Sequence, residues 1–177
     1  MLFKSEQALS EFANSLGIFL SSGEILPLCI ELVGDVGAGK TTFTRYLAKG
    51  LGIKTPVTSP SFTISKHYFF SPNRHEQSAD EKCDKRPNTT SIHKNTNLEL
   101  IHYDFYRLDD PGLMADNLAE SLSNSNAITI LEWADSVAEI LPDNHPKISF
   151  KILPDGSRNL VFNRPMHALV DNLKGAK

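Results

Sequence analysis

Gly34, Gly39, Lys40 and Thr41 stand in the order Gly-x-x-x-x-Gly-Lys-Thr, within the stretch GDVGAGKTT. That order is the P-loop pattern, and chemistry explains its spacing. Glycines let a chain wrap so closely that the backbone N–H groups of Asp35, Val36, Gly37, Ala38 and Gly39 can converge on anionic oxygens. A helix beginning near Lys40 adds the positive end of its dipole. The Lys40 ammonium then reaches the terminal phosphates of a nucleotide, and the Thr41 hydroxyl faces a magnesium ion. Residues Asp35 to Thr42 are thus the expected nucleotide-binding segment, with Lys40 also acting in the chemistry and Thr42 at its edge.

Phosphate chemistry of this kind needs an acid at the end of a neighbouring apolar strand. The run AITILEW (127–133) supplies Glu132 after Ile128, Ile130 and Leu131. A charge at the end of a buried strand is unfavourable unless it is paired or bound to metal, so Glu132 is expected to position magnesium or water. The competing reading is a strand-end glutamate facing solvent. A second acid, Asp104 in HYDFYR, shares a strand face with His102, Leu100 and Leu98. Asp104 could order an attacking or metal-bound water; it could instead sit on a solvated strand in an ion pair with Arg107. Hydroxyls at Thr58, Ser59 and Ser61 could bind metal or phosphate, or could belong to an ordinary Ser-Pro turn. Trp133 has three readings: core packing, the commonest for a lone tryptophan beside a strand end, an exposed docking residue, or a stacking surface.

These residues need a frame. Ser5 caps a helix through SEQALSEFANSLG that ends at Gly17 and turns Leu9, Phe12, Ala13 and Leu16 to one side. LPLCIELV (26–33) reads as a buried parallel strand, and KTTFTRYLAKGLG (40–52) as a helix stopped by Gly50 or Gly52. TSPSFTI (58–64) is a loop entering a strand that runs toward Phe70, and LELIHYDF (98–105) is its antiparallel return. Between them, at 71–97, Ile92 is the sole large aliphatic or aromatic residue, which predicts a flexible insert. DDPGLMADNLAESL predicts a helix with Asp at the N-cap and Pro111 at its first position. ADSVAEILP predicts a short helix ended by Pro142, and KISFKIL and RNLVFN flank PDGS as a hairpin over 147–163. The last dozen residues predict a final short helix. Helices interleaved with parallel and hairpin strands predict one three-layer α/β domain over 1–177, with a mixed parallel and antiparallel central sheet.

Composition narrows the classes. With 177 residues, 40% hydrophobic and 22% charged, the chain is an ordinary globular mix able to bury roughly 70% of its unfolded surface. A formal net charge of -3 with no long basic run argues against strong direct binding of nucleic acid. Two cysteines, Cys29 and Cys83, make no disulfide framework and suit a reducing cytoplasm. The start MLFKSEQALSEF lacks the apolar core of a signal peptide, and no run reaches the ~18 residues a membrane span needs. His75, Cys83 and His93 lack zinc-site spacing. The charges of the insert alternate in sign, as in a solvated patch.

Taken in order, GDVGAGKTTF, SPSFTI, HYDFYRL and ILEWAD resemble the signature segments of the bacterial TsaE family, also called YjeE. The resemblance runs from the first helix to the terminal hairpin and omits the insert. It implies a compact P-loop ATPase of tRNA threonylcarbamoyladenosine biosynthesis that binds ATP and Mg²⁺. It also implies two protein partners, TsaD and TsaB, which together place a threonylcarbamoyl group on the adenosine beside the anticodon. Hydrolysis by the ATPase lets that assembly turn over repeatedly, and tRNA is met indirectly through it. By the resemblance Lys40 binds phosphate, Thr41 and Glu132 coordinate magnesium, and Asp104 and the Ser59 segment are catalytic or switch elements. Trp133 matches a family tryptophan. Ser61 stands where the family usually has threonine, which keeps the hydroxyl, and the insert is longer than usual.

Two rival readings are weaker. A small-molecule kinase needs a lid of phosphate-facing arginines, and 71–97 holds only Arg74 and Arg86. A GTP-driven switch needs an Asn-Lys-x-Asp segment, and none is present.

Overall fold

A computed structural model describes residues 1–72, 97–106, 108 and 110–175. The insert expected at 71–97 lies almost wholly outside the described residues, as does Arg107.

The elements run β1 (Leu2–Phe3), α1 (Glu6–Leu20), β2 (Leu28–Val33), α2 (Lys40–Gly50), β3 (Ser65–Phe70), β4 (Leu98–Asp104), α3 (Leu113–Ser123), β5 (Ala127–Glu132), a 3₁₀ helix (Ala134–Ile140), β6 (Lys147–Ile152), β7 (Arg158–Phe162) and α4 (Arg164–Gly175). Among the described residues the strands form one seven-stranded sheet in the order β1-β7-β6-β2-β5-β4-β3. Strands β6, β2, β5 and β4 are mutually parallel, while β3, β7 and β1 pair antiparallel at the two sides. The expected mixed sheet is therefore present.

Helices cover both faces. Leu9 and Leu16 of α1, Phe43 and Leu47 of α2, and Met166 and Leu169 of α4 share one apolar core with Ile30, Leu32, Leu100 and Ile130 of the sheet. On the other face Leu118 of α3 and Val137 of the 3₁₀ helix pack with Cys29, Ile101, Tyr103 and Leu131. Strand β4 is thus buried on both sides, so the alternation of LELIHYDF does not mark a face turned to solvent.

Two helix boundaries and one edge strand differ from the sequence reading. Ser5 does cap α1, accepting from the Ala8 N–H at 3.2 Å, but the helix runs past Gly17 to Leu20. Gly17 is a contact point: a Cβ there would stand 2.1 Å from the Leu47 carbonyl oxygen, and one on Gly50 would stand 2.1 Å from that of Asn14. The two glycines let α1 and α2 cross backbone to backbone, which fixes the helix that carries Lys40. Helix α3 starts at Leu113 behind Gly112, because Asp110 spends its carboxylate on the Gly112 N–H at 3.0 Å in a turn before the helix. The edge strand β1 was not foreseen, since two residues are too few to show a period.

Candidate functional site

Parallel register brings the carboxyl ends of three strands together. Leu32 of β2 is opposite Glu132 of β5, and Glu132 is opposite Asp104 of β4. Ligands of open α/β sheets bind outside such ends. The chain leaves β2 through residues 34–39 and enters α2 at Lys40, so the glycine loop arches over this same edge. Gly34 has φ +145°, and a Cβ there would lie 2.6 Å from the Phe150 carbonyl oxygen. Only glycine permits that start to the loop. Gly39, at φ +106°, caps α2 without a side chain and leaves its first N–H groups open to an anion.

The residues expected to bind nucleotide gather here. Val36, Gly37, Gly39, Lys40, Thr41 and Thr42 line a cleft of about 280 Å³, faced by Ser59, Ser61, Asp104, Tyr106, Glu132 and Trp133. Asp35 is exposed on the loop and Ala38 is buried beneath it. A larger cavity of about 610 Å³ lies beside α3, lined among others by Glu99, Asn117 and Glu120. It contains none of the cradle residues, and the chemistry singles out the smaller cleft.

Lys40 is 4% exposed. Its ammonium donates to the carbonyl oxygens of Gly34 at 2.6 Å and Asp35 at 3.0 Å, and stands 4.3 Å over the Trp133 ring. Burial draws its pKa below the ordinary lysine value, while Glu132, Asp104 and Asp35 pull the other way. Trp133 adopts the left-handed conformation at φ 59°, an uncommon state for a bulky residue. It packs against the second core and tilts against Tyr106 with ring centroids 5.0 Å apart. Trp133 therefore combines core packing with a face in the cleft.

The two acids have separate partners. Glu132 is 3% exposed. Its Oε1 accepts from the Thr41 hydroxyl at 3.0 Å and meets His102 Nε2 at 2.9 Å. The solvent-facing reading of Glu132 is overturned. A threonine hydroxyl beside a carboxylate is a hard-oxygen donor set of the kind Mg²⁺ takes, together with water and phosphate. Among the described residues no three His, Cys, Asp or Glu converge to hold a metal, and a site completed by phosphate oxygens needs no such group. Asp104 is 4% exposed, so it is no solvated strand residue. Its Oδ2 accepts from both Ser59 Oγ, at 2.7 Å, and Ser61 Oγ, and its Oδ1 accepts from the Tyr106 N–H at 3.1 Å. The SPSF segment is thereby tied to the end of β4, and its neighbour Ile64 takes φ 64°, a strained state for a β-branched residue. The ion pair weighed between Asp104 and Arg107 falls outside the described residues.

His102 and Tyr106 were not among the expected site residues. His102 carried a signal nonetheless: it is a polar residue on the inward face Leu98, Leu100, His102, Asp104 of a buried strand. Among the described residues no helix is long and apolar enough to cross a membrane.

Comparison with known proteins identifies the family. The family model "Threonylcarbamoyl adenosine biosynthesis protein TsaE" matches residues 3–77 and 88–160 and passes over the middle of the insert. The tRNA threonylcarbamoyladenosine biosynthesis protein TsaE of Bacillus subtilis is 32% identical over 150 residues, spanning 85% of this chain and 75% of that protein. The protein of the same name from Treponema pallidum is 29% identical over 157 residues, spanning 89% and 94%. The crystal structure of Bacillus subtilis YdiB superposes with a TM-score of 0.63 at 26% identity, covering 97% of this chain and 90% of that one. With the match running from β1 to β7 and including the cradle, Asp104 and Glu132, the chain belongs to the TsaE family of threonylcarbamoyl adenosine biosynthesis proteins.

Proposed function

We propose that the chain is a magnesium-dependent ATPase supporting threonylcarbamoyladenosine modification of tRNA, acting with TsaD and TsaB in the cytoplasm and meeting tRNA through that pair. A role in threonylcarbamoyl adenosine biosynthesis follows from family membership. The ATPase reading is carried by one observation: the Thr41 hydroxyl and the Glu132 carboxylate, 91 residues apart in sequence, meet at 3.0 Å at the mouth of the glycine cradle.

In this reading the loop amides of residues 35–39 and the start of α2 hold the phosphates, and the Ala38 N–H, which bonds the Asp35 carbonyl oxygen at 3.1 Å, must first leave it. The Lys40 ammonium exchanges the Gly34 and Asp35 carbonyls for phosphate oxygens. Thr41 and Glu132 hold Mg²⁺, which when bound offsets charge on the transferring phosphoryl group. Asp104 orients the attacking water and accepts its proton as the water oxygen bonds to the γ-phosphorus and ADP leaves. Ser59 and Ser61 hold the Asp104 carboxylate for that task. Trp133 and Tyr106 wall the cleft. The net charge of -3 supports contact with tRNA through partners in preference to direct binding.

Calorimetry tests the binding half of the proposal. The wild-type chain should take up ATP analogue with magnesium present, and Lys40→Ala should take up none. A folded wild-type chain that binds no nucleotide with magnesium overturns the reading.

A further inference from the structure

His102 is fully buried on β4, at 0% exposure, and is in register with Ile130 of β5. Its Nε2 lies 2.9 Å from Glu132 Oε1. A carboxylate can only accept, so Nε2 carries the proton and donates. Nδ1 is buried with no hydrogen-bond partner among the described residues. Among the described residues the hydrogen bond of the ring is the one that Nε2 makes to Glu132. The ring therefore has one polar task, and Glu132 is its object.

The geometry around the carboxylate shows what the task does. Oε1 takes both short contacts, from His102 below and Thr41 across the cleft at 3.0 Å. Oε2 has the longer contact, 3.3 Å to the same Thr41 hydroxyl. Two donors from two elements on one oxygen fix the plane of the carboxylate and leave Oε2 with acceptor capacity beside the cleft. A glutamate held by Thr41 alone would lose that orientation whenever the hydroxyl turned to another partner. Partners behind a metal-binding carboxylate commonly set its orientation, and their loss lowers metal affinity by about 10–100-fold.

We infer that His102 is a positioning residue, holding Glu132 in the orientation in which it and Thr41 receive magnesium. The inference rests on the reading of Glu132 given above. Its test compares His102→Leu, His102→Gln and His102→Asn by the magnesium concentration that half-saturates binding of a non-hydrolysable ATP analogue, and by calorimetry of ADP without metal. His102→Leu should raise the half-saturating magnesium by about tenfold or more and leave metal-free ADP affinity within about twofold. Glutamine can present an amide N–H near the place of Nε2 and should return most of the loss, while asparagine, one methylene shorter, should not. Where the leucine variant does not fold, the glutamine and asparagine pair decides. Unchanged half-saturation in His102→Leu, or equal impairment by glutamine and asparagine, overturns the assignment. Glu132→Gln separates the levels: a loss there with none in His102→Leu sinks the His102 role alone, and no loss in Glu132→Gln sinks the reading of Glu132 with it.

Discussion

Asp104 and Glu132 stand opposite each other at the ends of adjacent parallel strands, and the Phe105 N–H donates to the Glu132 carbonyl oxygen at 3.0 Å just beyond the pair. Their side chains divide the surroundings. Glu132 takes the α2 threonine and His102, and Asp104 takes Ser59, Ser61 and the Tyr106 amide. Two carboxylates so placed and so differently bonded suit two roles, one toward metal and one toward water.

Asp104→Asn keeps the shape and removes the acceptor of a proton. It should lower turnover by about 100-fold or more while leaving nucleotide affinity within about threefold. The double variant Ser59→Ala, Ser61→Ala should fall between wild type and Asp104→Asn, because it loosens the carboxylate without removing it. Steady-state rates beside direct binding measure both. A loss of affinity equal to the loss of rate would move Asp104 out of the chemical step.

Lys40 links the loop to the site, since its ammonium bonds two loop carbonyls and covers Trp133. Lys40→Ala should abolish measurable nucleotide uptake, and Trp133 fluorescence should report the change in its surroundings even without ligand. An emission spectrum identical to wild type would show that the lysine does not lie over the ring in solution.

The crossing of α1 and α2 sets a steric demand. Gly50→Ala puts a methyl group 2.1 Å from the Asn14 carbonyl oxygen, against backbone that cannot rotate away. It should lower stability by about 1–3 kcal/mol or more, read from urea denaturation midpoints. A midpoint at the wild-type value would mean the helices separate at little expense.

Away from the cleft, Glu31 accepts from His145 Nε2 at 2.6 Å and from Lys147 Nζ at 2.7 Å. Burial works to raise the Glu31 carboxyl, but the bonds from His145 and Lys147 outweigh it and hold the pKa below its ordinary 4.5. The bond to Glu31 lifts His145 above its ordinary 6.5, against the opposing effect of burial. Glu31 therefore contributes stability present above pH 4.5 and lost as pH falls through its lowered folded value. His145 contributes stability present below pH 6.5 and lost as pH rises through its raised folded value. Denaturation midpoints should thus be higher at about pH 6 than at about pH 9, and His145→Gln should flatten that alkaline decline. Profiles of variant and wild type that run parallel would remove the cluster from the account.

Much of the site could be read from the chain because its residues are punctuated by chemistry. The cradle declares itself by glycine and lysine spacing, and Glu132 by ending an apolar run. Asp104 was legible as a candidate, but its burial was not, because β4 is closed on one face by α1 and α2, far back in sequence, and on the other by α3 and the 3₁₀ helix. Gly17 and Gly50 read as helix stops on local rules, whereas the crossing that needs them is tertiary. The partner of His102 is 30 residues away on another strand, and only the β4–β5 register reveals it. Trp133 likewise shows its face to the cleft only through a backbone state that sequence does not announce.

The most direct test is ATP turnover by the purified chain at saturating magnesium, alone and with the TsaD–TsaB pair, for wild type and Glu132→Ala. Slow hydrolysis alone, a clear increase with the pair and loss of both rates in the variant are the predicted results. Hydrolysis indifferent to the pair, or a variant as active as wild type, would contradict the account.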